Sequence, residues 1–169
     1  MDEPDTEDLR DLTVASQLER YPPFRYLGVK VLEIGHNWGV MRMAMPLNRD
    51  TKNPGGSMFG GSIAAFADPV PALACVYRYP DYDVWTRELN LDFRKPGLTD
   101  LELRFVFPEQ TAALIEQDLA QAGRSTPWFE YAIYDSQGEV TTRVRNRVAI
   151  RPKSPRSGSP AEIRAHNAD

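Results

Sequence analysis

Cysteine is almost missing from this 169-residue chain, and Cys75 stands alone. An intramolecular disulfide is therefore impossible, and a cysteine-based metal site is not expected. Burial as a small hydrophobe is the expected role of Cys75. Histidine is nearly as scarce, represented by His36 and His166 only. His36 falls in a turn and His166 close to the end of the chain, so neither is placed for acid–base catalysis. No apolar run reaches the roughly 18 residues that cross a bilayer, so no membrane partner is expected. A basic start followed by an apolar stretch is also missing, because Met1 to Asp11 is acidic. No signal peptide is expected, and the cytoplasm is the expected location. Excess positive charge is absent too: the net charge of -4 argues against a dedicated nucleic-acid partner.

What is present suits one globular domain, with 41% hydrophobic and 26% charged residues. Three regions are expected: an acidic, flexible segment over residues 1–11, a folded domain over 12–151 and a disordered tail over 152–169. The tail is rich in proline and serine and poor in large apolar residues. Leu12 to Arg20 allows a short helix, ended by Pro22 and Pro23. Val29 to Gly35 and Gly39 to Pro46 read as two strands joined by His36-Asn37-Trp38, with Met41, Met43 and Met45 on one side. A loop rich in Asn and Gly follows from Asn48 to Gly56. Gly60 to Tyr77 is too long and too uniformly apolar for a strand, and predicts a buried helix. Val84 to Arg94 alternates, with Trp85, Leu89, Leu91 and Phe93 on one face, and Leu101 to Phe107 alternates as well. Gln110 to Ala122 is helix-like with Gly123 as its stop. Trp128 to Tyr134 and Val140 to Arg151 form a hairpin around Asp135-Ser136-Gln137-Gly138. A helix apolar on all sides needs protein around it, and a mainly antiparallel sheet curled about it would supply the cover. Other α+β folds accommodate the same elements.

Asn53 to Arg78 carries the chemistry. Between Lys52 and Arg78, Asp68 is the one side chain charged at neutral pH. Burying a carboxylate without partners is costly, so such an Asp has hydrogen bonds or a catalytic task. Asp68 precedes Pro69, however, and Asp at an N-cap followed by Pro is also a common helix start. Pro69 and Pro71 lack the N–H groups that would reach Ala65 and Ala67, so a continuous helix would kink there. Gly60 and Gly61 stand at the helix start, where N–H groups lack internal partners and glycine lets a carbonyl come close. Equally, two glycines can merely pack a helix against a strand. Arg143 and Arg145, with Arg147, share one face of the last strand. They could meet phosphates, or form a solvated face that blunts a sheet edge.

Gly60-Gly61 followed by Asp68 resembles the hotdog thioesterases of the phenylacetate-pathway and human thioesterase-superfamily type. The wording Asn-Pro-Gly-Gly-Ser-Met-Phe-Gly-Gly and Ala-Asp-Pro most resembles a bacterial branch of hotdog domains of unknown function. Asn53, Thr86, Asn90, Phe93 and Pro96 extend the resemblance, which covers Leu27 to Arg151. It implies an α+β hotdog fold, a curled antiparallel sheet wrapped around a long central helix. It further implies a thioesterase acting on an acyl-CoA or acyl-carrier thioester, without cofactor or metal. Gly60 and Asn53 would hold the thioester carbonyl, Asp68 would be general base or, less in keeping, nucleophile, and Thr86 would orient the water. Gly61 and Phe59 are expected to contact substrate beside them, and on a thioesterase reading the phosphates open to Arg143 and Arg145 would be those of coenzyme A. Sites shared between subunits imply a homodimer or homotetramer. The family often has His where this chain has Phe59, which leaves open a non-catalytic module binding an acyl or aromatic ligand. Dehydratases of this fold need a catalytic histidine, and this chain offers none.

Overall fold

The computed structural model describes residues 14–154. The acidic segment over residues 1–11 and the tail beyond Ser154 lie outside the described residues. A first helix, α1, spans residues 14–20. Pro22 and Pro23 end it, as expected, and they also open a helix the sequence did not suggest, α2 (Pro22–Leu27). Proline is tolerated in a first turn because its missing N–H has no helical partner there. Gly28 closes α2 in the left-handed region at φ 70°.

Two strands follow, β1 (Lys30–Ile34) and β2 (Val40–Met45), joined by a 3-10 turn at His36–Trp38. Alternation in β2 is strict: Met41, Met43 and Met45 are fully buried, and each contributes about 1.5–3 kcal/mol relative to exposure. The expected long helix is two, α3 (Gly60–Ala67) and α4 (Val70–Arg78), separated at Asp68-Pro69. Then come β3 (Tyr82–Phe93), β4 (Leu101–Val106), α5 (Glu109–Ala122), β5 (Trp128–Tyr134) and β6 (Val140–Pro152).

All six strands join one antiparallel sheet in the order β1-β2-β4-β5-β6-β3. From β2 the chain crosses the sheet through α3 and α4 to the far edge, and only then returns to β4 beside β2. The curled sheet therefore wraps the central helices. Its inner face supplies Leu103, Phe105, Phe129, Ile133, Val144 and Val148 to one core shared with Ile63, Phe66 and Val70. This is the α+β hotdog architecture. No helix among the described residues is long and apolar enough to cross a membrane.

One expectation about β3 is overturned. Trp85 does not share a face with Leu89, Leu91 and Phe93, because a bulge interrupts the pairing with β6 between Thr86 and Glu88. Thr86 lies opposite the inward Val148, and Leu89 opposite the inward Asn146. Arg87 is the extra residue, and it reverses which parity faces inward. Trp85 is turned out and 48% exposed.

Candidate active site

The Asn-Gly loop before α3 is tied down at both ends: Phe59 N–H donates to the Thr51 carbonyl and Met58 N–H to the Gly97 carbonyl, each at 2.8 Å. Helix α3 then begins with no side-chain cap. The N–H groups of Gly60, Gly61 and Ser62 donate to nothing among the described residues, and the first helical bond is Ile63 N–H to Phe59. Three donors at the positive end of a helix dipole are thus unspent. Two aromatic rings flank them. A Cβ on Gly60 would meet Cζ of Phe93 at 3.3 Å, and one on Gly61 would overlap Cε1 of Phe59. A side chain at Gly61 would have to displace the exposed Phe59 ring, whereas one at Gly60 would ask the Phe93 ring to give by a few tenths of an ångström.

At the other end of α3 the prolines have their expected effect. Pro71 cannot donate to the Ala67 carbonyl, and the Asp68 carbonyl also lacks a helical partner. Side chains from three strands receive the two oxygens. The Tyr131 hydroxyl of β5 donates to Ala67 at 2.8 Å. The Asp68 carbonyl accepts from the Thr86 hydroxyl of β3 and from Asn146 Nδ2 of β6, both at 2.9 Å. Asn146 Nδ2 also lies 3.4 Å from the Tyr131 hydroxyl. Among the described residues the Asn146 Oδ1 atom is buried without a partner, as is the Thr142 hydroxyl. An unsatisfied buried acceptor costs about 1–3 kcal/mol, so Asn146 sits among apolar neighbours at a loss.

Asp68 itself has helical backbone angles, φ -46° and ψ -52°, and its N–H donates to the Ala64 carbonyl. It ends α3. The N-cap of α4 is Pro69, with no side-chain bond, so Asp68 is the C-cap of α3 and not the N-cap of α4. Its half-buried carboxylate has no hydrogen bond or ion pair among the described residues. It lies near enough to Tyr131 to act on it: burial pushes the Tyr131 hydroxyl above the ordinary phenol range, and the Asp68 charge adds to that. Burial likewise pushes the Cys75 thiol up to about 12, as suits an inert buried side chain.

The remaining sequence-derived residues are placed as follows. Asn53 Nδ2 donates to the Ser57 hydroxyl at 2.8 Å and its Oδ1 accepts from Ser57 N–H at 3.2 Å, so its amide braces its own loop. Thr86 reaches Asp68 through the main chain rather than through the carboxylate. Arg143 and Arg145 point outward from β6, on either side of the inward Val144, on the side of the sheet away from Asp68. Arg145 pairs with Glu130 at 3.1 Å and lies over the Trp128 ring. With Asn90 and Asp92 these arginines border an outer groove of about 850 Å³. Gly60 and Asp68 occupy opposite ends of α3, about 12 Å apart at 1.5 Å per residue. Tyr131 and Asn146 escaped the sequence reading. The available signal was their polarity on strand positions that otherwise alternate with inward apolar residues.

No curated protein matches this sequence significantly. Solved structures do match in fold. A protein of unknown function from Pseudomonas aeruginosa, titled a probable thioesterase, superposes with a TM-score of 0.69 at 20% identity, covering 82% of this chain and 96% of that one. A thioesterase from Haemophilus influenzae gives 0.67 at 17% identity, covering 92% and 97%. The E. coli PaaI protein from the phenylacetic acid degradation operon gives 0.62 at 16%, covering 85% and 92%. In sequence, the family profile described as Domain of unknown function (DUF4442) matches residues 11–150. Matched over most of its length, this hotdog-fold chain belongs to the DUF4442 family.

Proposed function

We propose that the protein is a cytoplasmic thioesterase that hydrolyses an acyl-CoA or acyl-carrier thioester, with Asp68 as general base. The observation that carries this reading is the Asp68 carboxylate, half-buried at a helix break and without a hydrogen bond or ion pair among the described residues. A water held against it would lose a proton to Asp68 while attacking the thioester carbon. The oxygen of the tetrahedral intermediate would accept from the free N–H of Gly60, the helix dipole adding to the attraction. Collapse breaks the carbon–sulfur bond, and the proton on Asp68 passes to the departing thiolate. The products are a carboxylic acid and a free thiol.

Oxyanion donors and a base must meet at one carbonyl, within about 3 Å of the reacting atoms. The length of α3 keeps Gly60 and Asp68 of one chain apart, so the reading calls for a dimer in which Gly60 of one subunit faces Asp68 of the other. Asn53 would join the oxyanion site by releasing Ser57. Phe59 and Gly61 would line its entrance, and Arg143 and Arg145 would meet coenzyme A phosphates reaching round the β3 edge. The engaged amide of Asn53 and the phenyl ring of Phe59 favour a second reading, a non-catalytic module that binds an acyl or aromatic group.

Asp68→Asn separates the two. It preserves size and most hydrogen bonding but cannot accept the proton, so kcat on acyl-CoA should fall about a hundredfold or more with KM little changed. A folded Asp68→Asn variant that turns over thioester at the parental rate ends the catalytic assignment. A parent protein that binds acyl-CoA without hydrolysing it establishes the second reading.

A further inference from the structure

We infer that Thr86, Asn146 and Tyr131 act as positioning residues for catalysis, a clamp drawn from three strands that fixes the direction of the Asp68 carboxylate. The inference rests on the reading of Asp68 as general base. That carboxylate has no restraint of its own among the described residues, so its direction depends on the main chain that carries it. The main chain is held on both sides. Asp68 N–H is bound to Ala64, and the Asp68 carbonyl accepts two donors at 2.9 Å from β3 and β6. The preceding carbonyl is held from β5 at 2.8 Å.

Satisfying two orphaned carbonyls would not require this arrangement, since a single hydroxyl or a water serves for each. Asn146 is the informative member. It is 0% exposed, lies between the inward Val144 and Val148, and leaves its own Oδ1 unpaired among the described residues. Turning the amide over would set that oxygen against the Asp68 carbonyl, acceptor facing acceptor, so the observed orientation is the one that works. The side chain is retained for its donor half, and that half points at Asp68. The bulge at Arg87 supports the same conclusion, because without it Thr86 would face away from the helix break. A general base displaced by about 1 Å loses on the order of a hundredfold in rate, so holding the break steady has a direct catalytic effect.

The test is steady-state kinetics on acyl-CoA with Thr86→Val, Thr86→Ser, Asn146→Leu and the double variant Asp68→Asn/Thr86→Val. Thr86→Val and Asn146→Leu should each lower kcat tenfold or more, with KM within about twofold of the parent. Thr86→Ser, which keeps the hydroxyl, should recover most of the rate lost in Thr86→Val. In the Asp68→Asn background Thr86→Val should cost nothing further, because a positioning residue has no effect once the group it positions is gone. A residue that orients the water directly would still lower the residual rate. If Asn146→Leu does not fold, Thr86→Val decides alone. Parental kcat in folded Thr86→Val, or an undiminished penalty in the Asp68→Asn background, overturns the clamp. A parent that loses activity with Asp68→Asn but not with Thr86→Val keeps the proposed function and loses the clamp alone. A parent that hydrolyses no acyl-CoA overturns both.

Discussion

At the scale of single residues, Glu102 shows how charge is handled where no chemistry is asked of it. Its carboxylate accepts from Arg104 Nε at 3.0 Å and from Arg42 Nε at 2.7 Å. The Arg104 bond holds Glu102 below the usual carboxylate range; partial burial opposes this and Arg42 reinforces it. A depressed folded value means the stabilisation is complete above the unfolded value, about 4.3, and is lost as pH falls through the folded one. Glu102→Gln should therefore lower Tm at neutral pH, by no more than about 2–4 °C because both guanidinium groups are partly exposed. The gap between parent and variant should close as melting is followed down below pH 4. A gap that persists there would mean Glu102 acts through packing rather than charge. Asp68 is the contrast: its carboxylate has no cation paired with it among the described residues.

At the scale of elements, β3 marks the boundary between what the sequence discloses and what it conceals. Alternation exposed β2 and β4, because a regular strand repeats every two residues and Met41, Met43 and Met45 obey that period. The break at Asp68-Pro69 was equally legible, since a missing N–H is written in the residue itself. The bulge was not. It adds one residue to one strand, and nothing local to Arg87 distinguishes it from its neighbours, so counting by twos put Trp85 on the wrong face. The partners of Asp68 were hidden for a related reason: Asn146 lies 78 residues away, and only the register of β6 against β3 brings it there. Deleting Arg87 tests this reading of the strand. Without it, either Leu89 and Leu91 or Val84 and Thr86 must face outward, and the loss should be about 3 kcal/mol or more. Arg87→Ala keeps the count and changes only an exposed side chain, so it should stay within about 0.5 kcal/mol in urea unfolding. Equal stability of the two variants would show that the bulge does not set the register.

At the scale of the whole molecule, β3 is an edge strand twelve residues long, paired on one side by β6 and on the other by no strand among the described residues. Phe59 and Phe93, 55% and 53% exposed, stand beside the free N–H groups of α3. Long edges with apolar neighbours invite pairing, and antiparallel pairing of β3 with its own copy places the two chains about a two-fold axis. The twofold relation answers the separation of Gly60 from Asp68, since reversal can set the start of one α3 against the break in the other. Complementation between two defective chains tests this. Asp68→Asn removes the base, while Gly60→Val puts a branched side chain against Phe93 where the carbonyl must approach. Each variant alone should be nearly inactive. If sites are shared, a mixed dimer concentrates both defects in one site and leaves the other intact. Random reassortment of equal amounts then makes half of the dimers mixed, and activity should return to about a quarter of the parental value. A site built within one chain predicts no recovery, because every site would carry one defect or the other. Sedimentation under the assay conditions completes the test: a folded monomer at micromolar concentration, or a mixture that stays inactive after verified exchange, removes the shared site.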